Sequence, residues 1–302
     1  MLLKDRTESE ELLVLRYLDA RMELTEKERY RHLNLEKGFE GELQFDKLAE
    51  NLQEERYVVN DLLLEVNNSY FQIDKFIISQ GVIHLLDIKN YEGECYIKSG
   101  NLYTVANHRE YKNPVDQLKR AALLLRQLLH NLKLNYLVEP FVIFINPEFT
   151  LYQAPLDDPI ILPTQVNGFL RDLNNTPSKL NDGHKKLAQI LISLHKTKNP
   201  FTVFPTYTYD QLHKGIYCKT CKSFLLSIKN YDFVCGKCGR HEKIEDAILR
   251  NVKEFSLLFP DRKITTQSIY EWCNVNLSKR TFCRILKKNY TAFGNTCDTY
   301  YK

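Results

Sequence analysis

No apolar run in this 302-residue chain approaches the roughly 18 residues that a helix needs to cross a bilayer, which excludes an ordinary helical membrane protein. The opening Met1-Leu2-Leu3-Lys4-Asp5-Arg6 has no apolar stretch of the secretory kind, so the cytoplasm is the expected compartment. Internal repeats and low-complexity tracts are absent, which excludes a solenoid and a bulk linker. A disulfide framework is missing too: of eight cysteines, four form two CxxC pairs, and Cys95, Cys273, Cys283 and Cys297 are scattered without motif spacing. What is present is the composition of a folded protein, with 43% hydrophobic and 26% charged residues and with 18 Tyr and 16 Phe to fill cores. The length supports two or three domains.

Charge is unevenly laid out. Residues 1–213 hold 25 Lys and Arg against 30 Asp and Glu, a balance of −5, whereas residues 214–302 hold 17 against 8, a balance of +9. A basic C-terminal segment of this kind suits contact with a polyanion such as nucleic acid.

Residues 72–89 form two strand-like runs about Gln80-Gly81. A hairpin turning there opposes residues whose numbers sum to 161, placing Asp74 across from Asp87 and Gln72 across from Lys89 on one face. Ile73 and Ile88 are then expected on the other face. Two aspartates about 5 Å apart repel unless one is protonated or a cation lies between them. Two hard oxygen ligands on a rigid hairpin suit Mg²⁺, or Mn²⁺ in its place.

Around this hairpin the pattern predicts helical residues over 5–34, a helix over 38–53, and strands over 57–65, 70–79 and 82–89, with shorter strands near 91–97 and 102–105. On the 38–53 helix Glu42 falls in line with the stripe of Phe45, Leu48, Ala49 and Leu52, so its carboxylate should point toward the packed side. Gly38 and Gly41, one turn apart, would let the backbone there approach a neighbour closely. Asn113-Pro114 marks a helix start, with Asn as the cap and Pro in the first turn. Val138–Ile145 reads as a buried strand. Residues 165–172 and 180–197 look helical, and the segment around Asn199-Pro200 and Phe204-Pro205 reads as loop.

Phe71-Gln72-Ile73-Asp74, then Leu86-Asp87-Ile88-Lys89-Asn90, then Asn113-Pro114 with Gln117 resemble the nuclease-related domain family, itself similar to the PD-(D/E)xK nucleases. The resemblance spans residues 37 to about 150 and takes in Gly38, Gly41 and Glu42. It implies a restriction-endonuclease-like α/β fold, a mixed sheet flanked by helices, and metal-dependent hydrolysis of phosphodiester bonds in DNA. Asp74 and Asp87 would bind Mg²⁺ and Lys89 would orient or activate the attacking water. Glu42 and Gln117 would complete the catalytic set. Aspartate stands at position 87 where the family usually has glutamate. A different outcome is also open: a catalytically inactive DNA-binding or sensing protein that keeps the nuclease fold as a scaffold.

Cys218-x-x-Cys221 and Cys235-x-x-Cys238, 13 residues apart, have zinc-ribbon spacing. Four thiolates close a tetrahedral Zn²⁺ site and leave no position for substrate, so the zinc is expected to be structural. Lys219, Lys222, Lys229, Lys237 and Arg240 of the ribbon could touch phosphates. Beyond it the pattern predicts a helix over 242–259, a stop at Pro260, a helix over 266–273, a turn over 274–277, a helix over 278–289 and a hairpin-like tail about Gly294-Asn295. That is helix-turn-helix spacing with a wing. Lys279, Arg280, Arg284, Lys287 and Lys288 would face DNA while Phe282, Ile285 and Leu286 pack. The expected organisation is an N-terminal helical extension (1–36), a nuclease-like domain (37–150), a helical linker (151–213), a zinc ribbon (214–241) and a winged-helix-like domain (242–302).

Overall fold

The computed structural model describes residues 1–52, 55–295 and 298–302, so Gln53 and Cys297, which figured in the expectations above, lie outside the described residues. From the N-terminus the chain forms β1 (Leu2–Lys4), α1 (Glu10–Arg21) and α2 (Glu26–Ala49). There follow β2 (Tyr57–Val66), β3 (Ser69–Ile78), β4 (Val82–Lys89), β5 (Gly93–Lys98), β6 (Asn101–Thr104), β7 (Glu110–Tyr111) and α3 (Pro114–Asn131). Then come β8 (Leu137–Phe144), β9 (Phe149–Tyr152), β10 (Ile160–Ile161), α4 (Val166–Asn175) and α5 (Asp182–Ser193). The C-terminal third holds β11 (Leu226–Lys229), β12 (Asp232–Cys235), β13 (His241–Lys243), α6 (Ile244–Leu258), α7 (Thr266–Cys273), α8 (Lys279–Asn289), β14 (Ala292–Phe293) and β15 (Tyr300–Tyr301). The expected helix over 38–53 therefore begins far earlier and is one continuous helix ending at Ala49.

These elements form two compact units, Met1–Glu8 with Leu33–Thr202, and Ser9–His32 with Val203–Lys302. The first unit is a mixed α/β fold. Its six-stranded sheet has the order β1-β2-β3-β4-β8-β10, with antiparallel pairing at β2/β3 and β3/β4 and parallel pairing at β1/β2, β4/β8 and β8/β10. The parallel β4–β8 pair needs a long crossover, and α3 supplies it. One face of the sheet packs Phe76, Ile83 and Leu85 against Leu118, Ala122 and Leu125 of α3 and Leu187 of α5. The other packs Ile77, Leu86 and Ile88 against Phe45 and Ala49 of α2 and Leu170 of α4. A smaller sheet has the order β7-β6-β5-β9, its strands β5, β6 and β7 falling between β4 and β8 in the chain and β9 following β8.

The second unit joins α1 to everything after residue 203. Val14 and Leu18 share a buried cluster with Ala247, Ile248 and Phe255 of α6, Trp272 of α7, and Phe282 and Leu286 of α8. Arg21, fully buried, donates to Glu254 and Asn251 and to the carbonyls of His213 and Gly215, and its guanidinium lies 4.0 Å from the centre of the Trp272 ring. β11, β12 and β13 make an antiparallel ribbon, and α6, α7 and α8 are followed by the two-stranded sheet of β14 and β15. Among the described residues no helix is long and apolar enough to cross a membrane.

Candidate functional site

The hairpin register is the expected one near the turn, with Ile78 opposite Ile83, Phe76 opposite Leu85 and Lys75 opposite Leu86. It stops there. The next pair would be Asp74 and Asp87, but β4 continues alone along β8, and Asp74 Oδ2 accepts a hydrogen bond from the Ile88 backbone N–H at 2.8 Å. The carboxylate thus occupies the place of a ladder carbonyl. On the other edge of β3 the ladder with β2 runs on both sides of position 74 but omits the pair of Asp61 with Asp74, and Asp61 has a φ of 54°. A non-glycine residue at positive φ breaks the pleat locally. The break has a visible effect on alternation: Ile73 packs on the α3 side of the sheet and Lys75 pairs with Asp46 of α2 on the other side. The expectation that Ile73 and Ile88 share a face is corrected accordingly, since Ile88 lies on the α2 side.

Where the strands part there is a cavity of about 430 Å³ whose lining includes Gln72, Asp74, Asp87, Lys89, Gln117, Lys112 and Arg120. Four of the five expected catalytic residues meet there. Lys89 Nζ lies 2.8 Å from Asp87 Oδ1, and both side chains are about four-fifths buried (19% exposed each). Burial pushes the Asp87 carboxyl up to about 6, with the neighbouring Asp74 adding to the effect and Lys89 opposing it. Burial also works against the Lys89 charge, but Asp87 and Asp74 outweigh it and hold the ammonium above its ordinary value. Asp87 Oδ2 is buried with no hydrogen-bond partner. An orphaned carboxylate oxygen next to a second carboxylate is the donor set that a hard divalent cation satisfies. Asn113 caps α3 as expected, accepting from the Val115 N–H at 3.0 Å, and Gln117 follows on the exposed side of the first turns.

Glu42 is not part of the cavity lining. It pairs with Arg6 at 2.5 Å, and burial followed by the charge of Asp74 pushes its carboxyl up to about 8. Arg6, only 3% exposed, also donates to Asp46 and to the Asp74 carbonyl at 3.0 Å, and Asp46 takes Lys75 on its far side at 2.7 Å. Sequence reasoning missed Arg6, Asp46, Lys75, Lys112 and Arg120. For Lys75 a signal existed, a lysine set beside the apolar run Phe76-Ile77-Ile78, where a buried charge demands a partner. Gly41 meets its expectation: a Cβ there would lie 2.5 Å from Asn90 Cβ, next to Lys89. Gly38 does not, for no neighbouring element lies within 4 Å of where a Cβ there would stand.

In the second unit the ligand atoms of Cys218, Cys221, Cys235 and Cys238 all lie within 4.8 Å of one another, the one such group of three or more His, Cys, Asp or Glu among the described residues. The sulfurs of Cys218 and Cys238 are 3.6 Å apart and those of Cys221 and Cys235 are 3.5 Å apart. Tetrahedral Zn–S bonds of about 2.3 Å require sulfur separations near 3.8 Å, so the cluster is compatible with structural zinc. Backbone N–H groups of Cys238 and Lys237 hold the Cys235 thiol below its ordinary value against a smaller effect of burial, whereas at Cys238 the Arg240 N–H is outweighed by burial and the neighbouring sulfurs, which raise that thiol. Cys235 is thus the member of the cluster that yields the thiolate a metal needs most readily. On α8, Lys279, Arg280, Arg284, Lys287 and Lys288 are exposed and Phe282, Ile285 and Leu286 are buried. Lys288 is engaged by Glu245 at 2.8 Å. Trp272 is core, fully buried.

Comparison with known proteins identifies one segment: residues 37–145 match the family model of the nuclease-related domain. No curated protein and no solved structure matches the chain. The matched segment contains Glu42, Asp74, Asp87, Lys89 and Gln117.

Proposed function

We propose that the nuclease-related domain at residues 37–145 hydrolyses phosphodiester bonds in DNA with a divalent metal, and that the C-terminal unit binds the nucleic acid. The observation that carries this reading is the partnerless, buried Asp87 Oδ2 beside Asp74 in a cavity that Lys89, Lys112 and Arg120 also line. Asp74 and Asp87 would hold Mg²⁺ or Mn²⁺. When bound, the metal would polarise a phosphoryl oxygen and acidify a water. Lys89, already at the carboxylates, would orient the attacking water and hold negative charge as it develops. Lys112 and Arg120, exposed and cationic, would seat the flanking phosphates, and the first turn of α3 with Gln117 would add donors beside them. Glu42 would act from behind, through Arg6, rather than on the substrate.

In the second unit, α7 and α8 would serve as a helix-turn-helix with β14 and β15 as a wing, Lys279, Arg280, Arg284 and Lys287 meeting phosphates and base edges. Free thiols and a structural zinc would suit a reducing compartment, the cytoplasm. One observation favours the inactive scaffold instead: Glu42 is committed to Arg6 and stays out of the cavity lining. The two readings separate in one assay. Purified protein is incubated with labelled single- and double-stranded DNA and with RNA, each with Mg²⁺ or Mn²⁺. Cleavage that Asp74→Ala and Lys89→Ala abolish supports the enzyme; no cleavage by the wild type, or equal cleavage by both variants, leaves the scaffold.

A further inference from the structure

β1 lies before the segment that matches the nuclease-related domain, yet it and the residues after it reach the strand break at Asp74. When a ladder omits a pair, the carbonyls at the gap lose their partners and must find others or leave the fold strained. Both carbonyls at this gap are met by cations from the N-terminal segment. Lys4 Nζ takes the Asp61 carbonyl at 2.8 Å and the Asn60 carbonyl at 2.9 Å, and Arg6 takes the Asp74 carbonyl at 3.0 Å. The same guanidinium binds Glu42 and Asp46 with its other nitrogens, so its plane is fixed at three points. The carboxylate of Asp74 then turns to Ile88, on the strand that carries Asp87.

We propose that Arg6, assisted by Lys4, is a positioning residue for the nuclease-like site: it holds the β2–β3 ladder open at Asp61 and Asp74, so that the Asp74 carboxylate stands beside Asp87. The functional site thereby extends beyond the matched domain to the N-terminal strand. The inference uses the metal reading proposed above for one of its two readouts and is independent of it for the other.

The test uses the full chain with Arg6→Ala, Arg6→Lys and Lys4→Gln. In metal-free protein the Ile88 amide is followed by hydrogen exchange, with Leu86 of the same strand as the internal reference. Release of Asp74 exposes Ile88 alone, so its exchange should rise about tenfold or more relative to Leu86 in Arg6→Ala, and less in Lys4→Gln. Mn²⁺ binding is then titrated. Charge alone predicts tighter binding when a nearby guanidinium is removed; positioning predicts weaker binding, by about 10–100-fold as for other residues that orient metal ligands. Arg6→Lys keeps the charge but cannot span three acceptors, so it should resemble Arg6→Ala in both readouts. Wild-type behaviour of Arg6→Lys, or unchanged relative exchange at Ile88 in folded Arg6→Ala, overturns the proposal. Raised Ile88 exchange with no Mn²⁺ binding by the wild type upholds the positioning and removes the metal reading.

Discussion

Replacing Asp74 by Asn should make the metal-free protein gain stability relative to the wild type as pH rises from 4 to 8, while removing its response to Mg²⁺. The amide keeps an oxygen to accept from Ile88 N–H and leaves the backbone carbonyl free for Arg6, so the geometry is retained. What it removes is a negative charge that raises the Asp87 and Glu42 carboxyls and also supports the Lys89 ammonium and the Arg6 guanidinium. Those two cations stay charged from pH 4 to pH 8, so their loss is a constant offset and only the carboxyls give a pH-dependent difference. Asp87 titrates at about 6 against an ordinary 3.8, so its ionisation above that pH costs the fold about 3 kcal/mol. Burial is the larger cause and survives the substitution, leaving on the order of 1 kcal/mol to Asp74. Glu42, at about 8 with burial again first and Asp74 second, adds a similar amount. The sign follows from linkage: a carboxyl raised in the fold contributes stability below its unfolded pKa and loses it as pH climbs through the folded one. The stability of Asp74→Asn relative to the wild type should therefore rise by about 1–2 kcal/mol between pH 4 and pH 8. Chemical denaturation in EDTA across that range measures it, and a second series with 10 mM Mg²⁺, on the order of a saturating concentration, should stabilise the wild type alone. A variant that does not gain on the wild type between pH 4 and pH 8, or one that Mg²⁺ still stabilises as much as the wild type, refutes the reasoning.

Three further outcomes follow from other parts of the molecule. Elemental analysis should find about one zinc per chain, and Cys235→Ser should abolish it and unfold the second unit while the first keeps its melting transition. Gly41→Ala should cost about 1–3 kcal/mol, because its new Cβ must displace Asn90, and the added helix propensity of alanine offsets only about 1 kcal/mol of that; a neutral or stabilising result in a denaturant titration would show that the contact yields. If α8 contacts phosphates, neutralising Arg280 and Arg284 together should flatten the slope of log affinity against log salt by about 1.8, measured by fluorescence anisotropy with duplex DNA.

The hairpin was legible because its register depends on local signals, a Gly turn and apolar alternation that only one pairing satisfies. The break at Asp74 was not, because it depends on Asp61 adopting positive φ and on Lys4 and Arg6 arriving from more than fifty residues away. β1, β9 and β10 escaped notice for a related reason: they are two to four residues long and pair in parallel with partners distant in sequence, which leaves no periodic trace. The cysteine cluster was legible in full, since ligand spacing alone brings four thiolates together. Glu42 was placed on the right face of its helix by the stripe, but nothing in its own neighbourhood announced that an arginine would hold it.

The placement of α1 bears on how this chain comes to be folded at all. Arg21 and Glu254 are 233 positions apart, as are, to within a few tens of residues, Val14 and Leu18 from the apolar partners on α6, α7 and α8. During synthesis α1 emerges well before α6, α7 and α8 and must wait for them, whereas the mixed sheet can close as soon as residue 202 has left the ribosome. Loop closure over that span is slow, so the second unit should appear as a late, separate refolding phase. In the interval Val14 and Leu18 are exposed, and truncation before α6 would leave them so permanently.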